Sequence, residues 1–319
     1  MGCPYRCTFC VNTTVYRDGQ YYTNSPYRGK SAERILDEIQ ITQDKYGVEF
    51  VQFVDDNVLL DRKRLFRFMD GIEQRKLAFT WFVGARANYF NDKYLSPDVI
   101  KRMAKLGCVM IGIGAESGSQ RMLDYLKKDI TLEQIENAAK ILSDNKIICE
   151  FSFMIGLPGE TPEEMLKTIN FVEKLGKISN YVATQAPQLY RPIPGGELYN
   201  ECLKAGYKAP NSLREWSQEK LESGFLDAEK LPWIKKDSKA FIIITYATRL
   251  LCVGRYRWWL LEKNLEFSLI AIIVSVMRIF FRIRKKLNFW RFPIEYRSFD
   301  ILRQVRKKLF PNTDDSHKA

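Results

Sequence analysis

The sequence predicts an α/β fold built on a parallel sheet. Short apolar runs alternate with amphipathic helical stretches from Ser31 to Tyr190. The helical stretches carry their own start and stop signals, and polar or Gly-rich segments follow the apolar runs. Strands alternating with helices at this spacing make βαβ units, whose strands run parallel.

Each element can be justified in turn. Ser31–Tyr46 has apolar residues at helical spacing, Ser31 as N-cap and Gly47 just past its end. Phe50–Val54 is a short apolar strand, and Asp61–Lys76 an amphipathic helix. Phe79–Val83 is a strand, and Ser96–Leu106 a helix that stops at Gly107. Val109–Ile113 and Ile147–Ile155 are strands followed by the helices Thr131–Asn145 and Thr161–Leu175, in the order strand, helix, strand, helix. Pro162 suits the first turn of the last of these. Tyr181–Tyr190 is the final strand and runs into the turn Pro192–Gly196. In barrels of this kind, active groups sit on the loops after the strand C-termini. Those loops are Asp55–Asn57, Gly84–Arg86, Gly114–Ser117 and Gly156–Glu160.

Composition narrows the chemistry. Residues 231–319 carry 19 Lys and Arg against 7 Asp and Glu, so the net charge of +12 lies entirely there. A neutral body with a basic tail suggests that the tail meets something anionic, with a phospholipid surface or nucleic acid as candidates. Three of the seven Cys fall within the first ten residues, which reads as metal binding rather than a disulfide framework. The other four, Cys108, Cys149, Cys202 and Cys252, stand singly and read as core thiols. The only His is His317, so His-built zinc sites and His acid–base catalysis are nearly excluded.

The strongest motif is Cys3-x3-Cys7-x2-Cys10. Three thiolates on one loop bind three irons of a cubane cluster and leave the fourth open to a small molecule. A fourth ligand at zinc spacing is absent. The stretch GCPYRCTFC, with Phe9 just before the last Cys, resembles the cluster loop of radical SAM enzymes. The resemblance covers roughly residues 1–200. It implies a partial (β/α)6 TIM-like barrel, a [4Fe–4S] cluster on Cys3, Cys7 and Cys10, and S-adenosylmethionine (SAM) chelated at the open iron. It further implies cleavage of SAM to methionine and a 5′-deoxyadenosyl radical, with an electron donor such as flavodoxin or ferredoxin.

Further segments extend the resemblance. Ile113–Ser119 is similar to a family segment in which Glu116 reaches the SAM ribose hydroxyls and Ser117 lies nearby. The bland alternative is a strand-end Glu that caps the next helix. Phe153–Thr161 is similar to the family's "GLPGET" segment, whose backbone at Gly156 to Pro158 approaches the adenine, with an ordinary strand–turn–helix junction as the alternative. Asp55 or Asp56 is a candidate for the SAM amino group or substrate, with a helix N-cap as the alternative. Lys127, Lys128 and Arg86 are candidates for the SAM carboxylate, although adjacent lysines more often form a solvated face. Tyr190, Arg191 and the following turn either line the substrate pocket or close the barrel.

A helical C-terminal extension is expected over residues 211–319, after a core over 1–210. Its apolar stretches are Ala240–Leu261 and Leu265–Leu287. The uncharged run Phe267–Met277 is short for a span of roughly 20 residues. Arg278, Arg282, Lys285 and Lys286 share a basic face, and Phe280, Phe281 and Ile283 lie off it. Such a helix suits a membrane surface, with Trp258, Trp259 and Trp290 as an interface belt. Simple packing on the core is the alternative.

The resemblance is strongest to cobalamin-binding radical SAM proteins, whose cobalamin domain precedes the Cys loop. The expected first strand has no room before Cys3, so a truncated chain or an internal start is expected. No Asp-x-His-x-x-Gly segment is present, so cobalamin would come from a missing domain or separate subunit. The expected activity is that of a cytoplasmic enzyme, peripheral on the membrane, acting on a small-molecule or lipid-like substrate rather than nucleic acid. The competing expectations are a methylthiotransferase-type RNA modifier and an inactive, truncated Fe–S protein.

Overall fold

The computed structural model describes residues 2–12, 27–222, 228, 231–250 and 265–291. The chain divides into two compact units, Met1–Asn211 and Ser212–Ala319.

The first unit is built on six strands: β1 (Phe50–Gln52), β2 (Thr80–Ala85), β3 (Cys108–Glu116), β4 (Ile148–Ile155), β5 (Val182–Thr184) and β6 (Gln188–Leu189). The sheet order is β1-β2-β3-β4-β5, with β6 paired to β4 further along the same edge, and every pairing is parallel. Among the described residues, the sheet is not closed. Beside β1, opposite β2, runs a groove of about 760 Å³ lined in part by Ile35, Ile39, Val48, Phe50 and Val51.

The helices of this unit are α1 (Ala32–Tyr46), α2 (Arg62–Arg75), α3 (Pro97–Lys105), α4 (Gln120–Tyr125), α5 (Leu132–Asp144), α6 (Pro162–Leu175) and α7 (Glu197–Lys204). Their ends follow local chemistry. Ser31 accepts from the N–H of Arg34 to start α1, and Gly47 ends it at φ +63°. Thr131 and Thr161 each form a reciprocal capping box, with Gln134 and Glu164 respectively.

The expected strand over Tyr181–Tyr190 is two short strands. Pro187 has no N–H to donate to the ladder, so pairing with β4 stops after Thr184 and resumes at Gln188. The short helices α4 and α7 carry too few turns to show a period in the sequence.

Burial alternates cleanly along β4. Cys149, Phe151, Phe153 and Ile155 are buried, and Phe153 meets Phe171 of α6 edge to face. Burying each of the Phe and Ile side chains contributes about 1.5–3 kcal/mol. Ile148, Glu150, Ser152 and Met154 are half-buried on the opposite face. Trp81 anchors the other end of the core, edge-on to Phe53 and Phe68, with Nε1 donating to the Leu106 carbonyl at 2.8 Å. Cys108, Cys149 and Cys202 are buried, as expected of core thiols, while Cys252 lies outside the described residues.

The second unit holds α8 (Leu213–Glu222), α9 (Lys239–Leu250) and α10 (Leu265–Leu287). The expected helix Ala240–Leu261 is described only to Leu250, and Trp258 and Trp259 lie outside the described residues. Phe281 does not join an outward aromatic face. It is buried, stacks on Tyr246 of α9 and meets Trp290 edge-on. Among the described residues, no helix is long and apolar enough to cross a membrane.

Candidate cluster and cofactor site

The Cys loop is held at the C-terminal ends of the strands by contacts from distant parts of the chain. Thr8 donates its N–H to the Leu126 carbonyl at 3.0 Å and accepts from the N–H of Leu198 at 3.1 Å. Asp56, on the loop after β1, clamps both ends of the loop. One carboxylate oxygen accepts from the Gly2 N–H at 2.6 Å and the other from Asn12 Nδ2 at 2.7 Å. Inside the loop, Cys10 donates its N–H to the Cys7 carbonyl at 3.1 Å.

The thiols themselves meet strand-end donors. Asn57 Nδ2 donates to Cys3 Sγ at 3.7 Å and to Tyr89 Oη at 2.8 Å. Arg86, just past β2, donates from Nη1 to Cys7 Sγ at 3.6 Å and from Nη2 to the Lys128 carbonyl. Its guanidinium is buried and stacks on Tyr5 at 3.5 Å. Burial pushes the Cys10 thiol up. Cys7 and Cys3 push it the same way, while the Asn12 N–H and Lys128 pull it down. Cys3 and Cys7 thus lie close enough to Cys10 to act on its thiol.

Glu116 and Lys128 complete the group. Lys128 is buried and pairs with Glu116 Oε1 at 2.8 Å, with its ammonium 5.6 Å from the centre of the Phe9 ring. The expectation of a solvated lysine face holds for Lys127, which pairs with Glu197 at 2.5 Å on the surface, and fails for Lys128. Residue type alone does not show that Lys128 turns inward. Gly114 makes room for the pair, since a Cβ there would stand 2.2 Å from Glu116 Oε1. Glu116 takes φ +62°, a left-handed backbone conformation uncommon for a residue other than glycine.

The remaining expected residues fall in different places. Ser117 is fully buried and turned to α6. Its hydroxyl lies 3.2 Å from Thr168 Oγ1 and accepts from the Ser119 N–H at 3.1 Å. Asp55 is exposed, and its neighbours Asp56 and Asn57 make the contacts to the Cys loop. Nor does Asp55 cap the next helix, because Asp61 caps α2. Gly156 takes φ +80°, and the backbone N–H groups of Gly156 and Leu157 donate to Glu160 Oε2 at 2.7 and 3.1 Å. Pro158 is buried in this turn. Burial pushes the Glu160 carboxyl up to about 8, and its Oε1 is buried with no hydrogen-bond partner. Tyr190 is buried, and its N–H donates to the Ile155 carbonyl at 2.9 Å, which closes the strand edge.

The residues present fit a cubane cluster. Among the described residues, no three His, Cys, Asp or Glu side chains converge on a single metal ion. In a cubane, each thiolate takes a separate iron, so the sulfurs need to share a site without sharing an ion. N–H donors aimed at Cys3 and Cys7 suit sulfurs that carry negative charge. Sequence reasoning missed Asn57, Tyr5 and Glu150. Glu150 lies on the half-buried face of β4 and accepts from Gln185 Nε2 at 2.8 Å. Period-2 alternation places it on that face, but a strand-interior Glu carries no motif.

Comparison with known proteins agrees with this geometry. The Radical SAM superfamily model matches residues 1–172. An uncharacterized methyltransferase of Pyrococcus horikoshii is 35% identical over 174 residues, covering 54% of this chain and 35% of that protein. An anaerobic magnesium-protoporphyrin IX monomethyl ester cyclase of Rubrivivax gelatinosus is 28% identical over 202 residues, covering 63% of this chain and 33% of that protein. The chain thus spans about a third of the length of these curated relatives. Among solved structures, the cobalamin-dependent SAM radical enzyme OxsB aligns with a TM-score of 0.53 at 14% identity, over 97% of this chain and 55% of that one. That likeness concerns the fold. With its family model matched over more than half of its length and three cysteines gathered at the strand ends, the chain belongs to the radical SAM superfamily of enzymes.

Proposed function

We propose that this chain is the catalytic core of a radical SAM enzyme that abstracts hydrogen from a hydrophobic small molecule. The observation that carries the reading is the convergence of Asn57, Arg86 and Lys128 on the loop of Cys3, Cys7 and Cys10. Cys3, Cys7 and Cys10 would hold a [4Fe–4S] cluster, and Glu116, Lys128 and the Gly156–Pro158 turn would hold SAM. When bound, these groups supply one-electron cleavage of SAM to methionine and a 5′-deoxyadenosyl radical.

The chain's own residues do the positioning. Asp56 fixes the loop ends, Arg86 and Asn57 steady the sulfurs, and Glu160 shapes the turn after β4. A hydrophobic substrate is supported by the half-buried sheet face, where Phe82, Met110 and Met154 lie among Gly84, Gly112 and Gly114. The electron would come from a flavodoxin or ferredoxin. In a longer parent or a complex, cobalamin supplied from outside these residues would redirect the reaction to methyl transfer or cyclisation, as the names of the relatives suggest.

The test is anaerobic reconstitution with iron and sulfide, reduction, and addition of SAM, with Cys7→Ala as control. A reduced-cluster EPR signal that shifts with SAM, and 5′-deoxyadenosine that disappears in the variant, are expected. A protein that takes up no cluster overturns the reading.

A further inference from the structure

Exposed apolar side chains crowd one helix of the second unit. Val276, Ile279, Phe280, Ile283 and Leu287 are 45–68% exposed, and Phe289 just beyond α10 is 48% exposed. The first five recur at three- and four-residue steps, so they form a single stripe along α10. The helix buries a different face. Met277, Phe281 and Arg284 are buried, Phe281 stacks on Tyr246, and Arg284 donates to the carbonyls of Phe289 at 3.1 Å and Arg291 at 2.8 Å. The stripe is therefore left over after α10 has packed on α9. A contiguous exposed apolar patch of this kind marks an interaction surface.

Charge decides what covers it. Arg282 and Lys286 are exposed on the sector beside the stripe, and Arg278 and Lys285 continue that sector. No acidic residue occurs between Phe267 and Ile294. We propose that α10 docks on an anionic phospholipid bilayer, with the stripe of Val276, Ile279, Phe280, Ile283 and Leu287 in the acyl boundary and Arg282 and Lys286 at lipid phosphates. Apolar and basic sectors side by side, on a helix too polar to span, are the pattern of an interfacial helix. A second copy of the chain fits less well. A two-fold contact on this stripe would bring the Arg282 and Lys286 of one copy close to those of the other. Phe281, which the residue pattern alone places with the lipid-facing aromatics, is instead part of the internal packing.

The proposal does not depend on the cluster, and its test reads binding alone. The full chain is floated with vesicles of phosphatidylcholine containing about a third phosphatidylglycerol, and with pure phosphatidylcholine vesicles. Binding to the anionic vesicles at least several-fold above the neutral ones is expected, with a marked loss at high salt. Two variants separate the contributions. I279S/F280S removes exposed apolar groups only, and R282E/K286E reverses charge while the stripe stays intact. Both are expected to lose binding with unchanged circular dichroism. Failure to float with anionic vesicles, or unchanged binding in both variants, overturns the proposal. So does a concentration-dependent dimer in light scattering that I279S/F280S abolishes, since that assigns the stripe to a second copy.

Discussion

Arg86 donates a hydrogen bond from Nη1 to Cys7 Sγ at 3.6 Å, across 79 positions of sequence. The guanidinium is buried on Tyr5, and its Nε has no hydrogen-bond partner. A buried cation needs nearby negative charge, and Cys7 would supply some as the ligand of a bound cluster. Donors to a cluster ligand stabilise the more negative, reduced state. Arg86→Met should therefore lower the midpoint potential of the cluster and cost about 10–100-fold in SAM cleavage. Potentiometric EPR titration checks the first effect separately from the second. An unmoved potential would show that Arg86 only packs.

Lys128 and Glu116 form a buried ion pair at 2.8 Å, and removing one partner leaves the other charge uncompensated. Lys128→Met should destabilise the fold by about 3–5 kcal/mol. The double variant K128M/E116Q should lose less than K128M alone, because no stranded carboxylate remains. Urea denaturation of the three proteins tests this. A double variant as unstable as the single one would refute the charge explanation.

Asp56 and Asp55 are adjacent and both exposed, yet only Asp56 clamps the Cys loop. Asp56→Ala frees both loop ends and loses two charge-assisted hydrogen bonds, each worth up to about 1.5–3 kcal/mol before solvent screening. Iron release to a chelator should accelerate in Asp56→Ala and stay unchanged in Asp55→Ala. Equal release from both variants would contradict the clamp.

Glu160 gives stability an unusual pH dependence. Its carboxyl is raised to about 8 by burial, against about 4.3 in an unfolded chain. The folded state keeps the proton over that interval and the unfolded state does not. The contribution of Glu160 is thus fully present below about pH 4.3 and is lost as pH rises to about 8. Glu160→Gln keeps an acceptor for the Gly156 and Leu157 N–H groups and removes the titration. It should be more stable than the parent at pH 8 by an amount on the order of a few kcal/mol, and no more stable at pH 4. Thermal melts at the two pH values decide it. An advantage that does not depend on pH would point to packing instead.

The first-unit fold was legible because its signals are local. Apolar period, Ser31 and Thr161 caps, and Gly47 each act within a turn or two of chain, and the observed elements match them closely. The Cys3, Cys7 and Cys10 motif is legible for the same reason, since its spacing lies within one loop. Contacts across the sheet were not legible. Adjacent residues such as Asp55 and Asp56, or Lys127 and Lys128, have the same chemistry, and only the path of the backbone sends one outward and the other to the site. Phe280 and Phe281 divide in the same way, one exposed and one stacked on Tyr246. The sequence by itself determined the Cys motif and the longer strands and helices of the first unit, because local hydrogen bonding and periodicity suffice for that. Only the tertiary structure decided which of two equivalent neighbours reaches a partner, because that depends on chain segments distant in sequence being brought within a few ångströms.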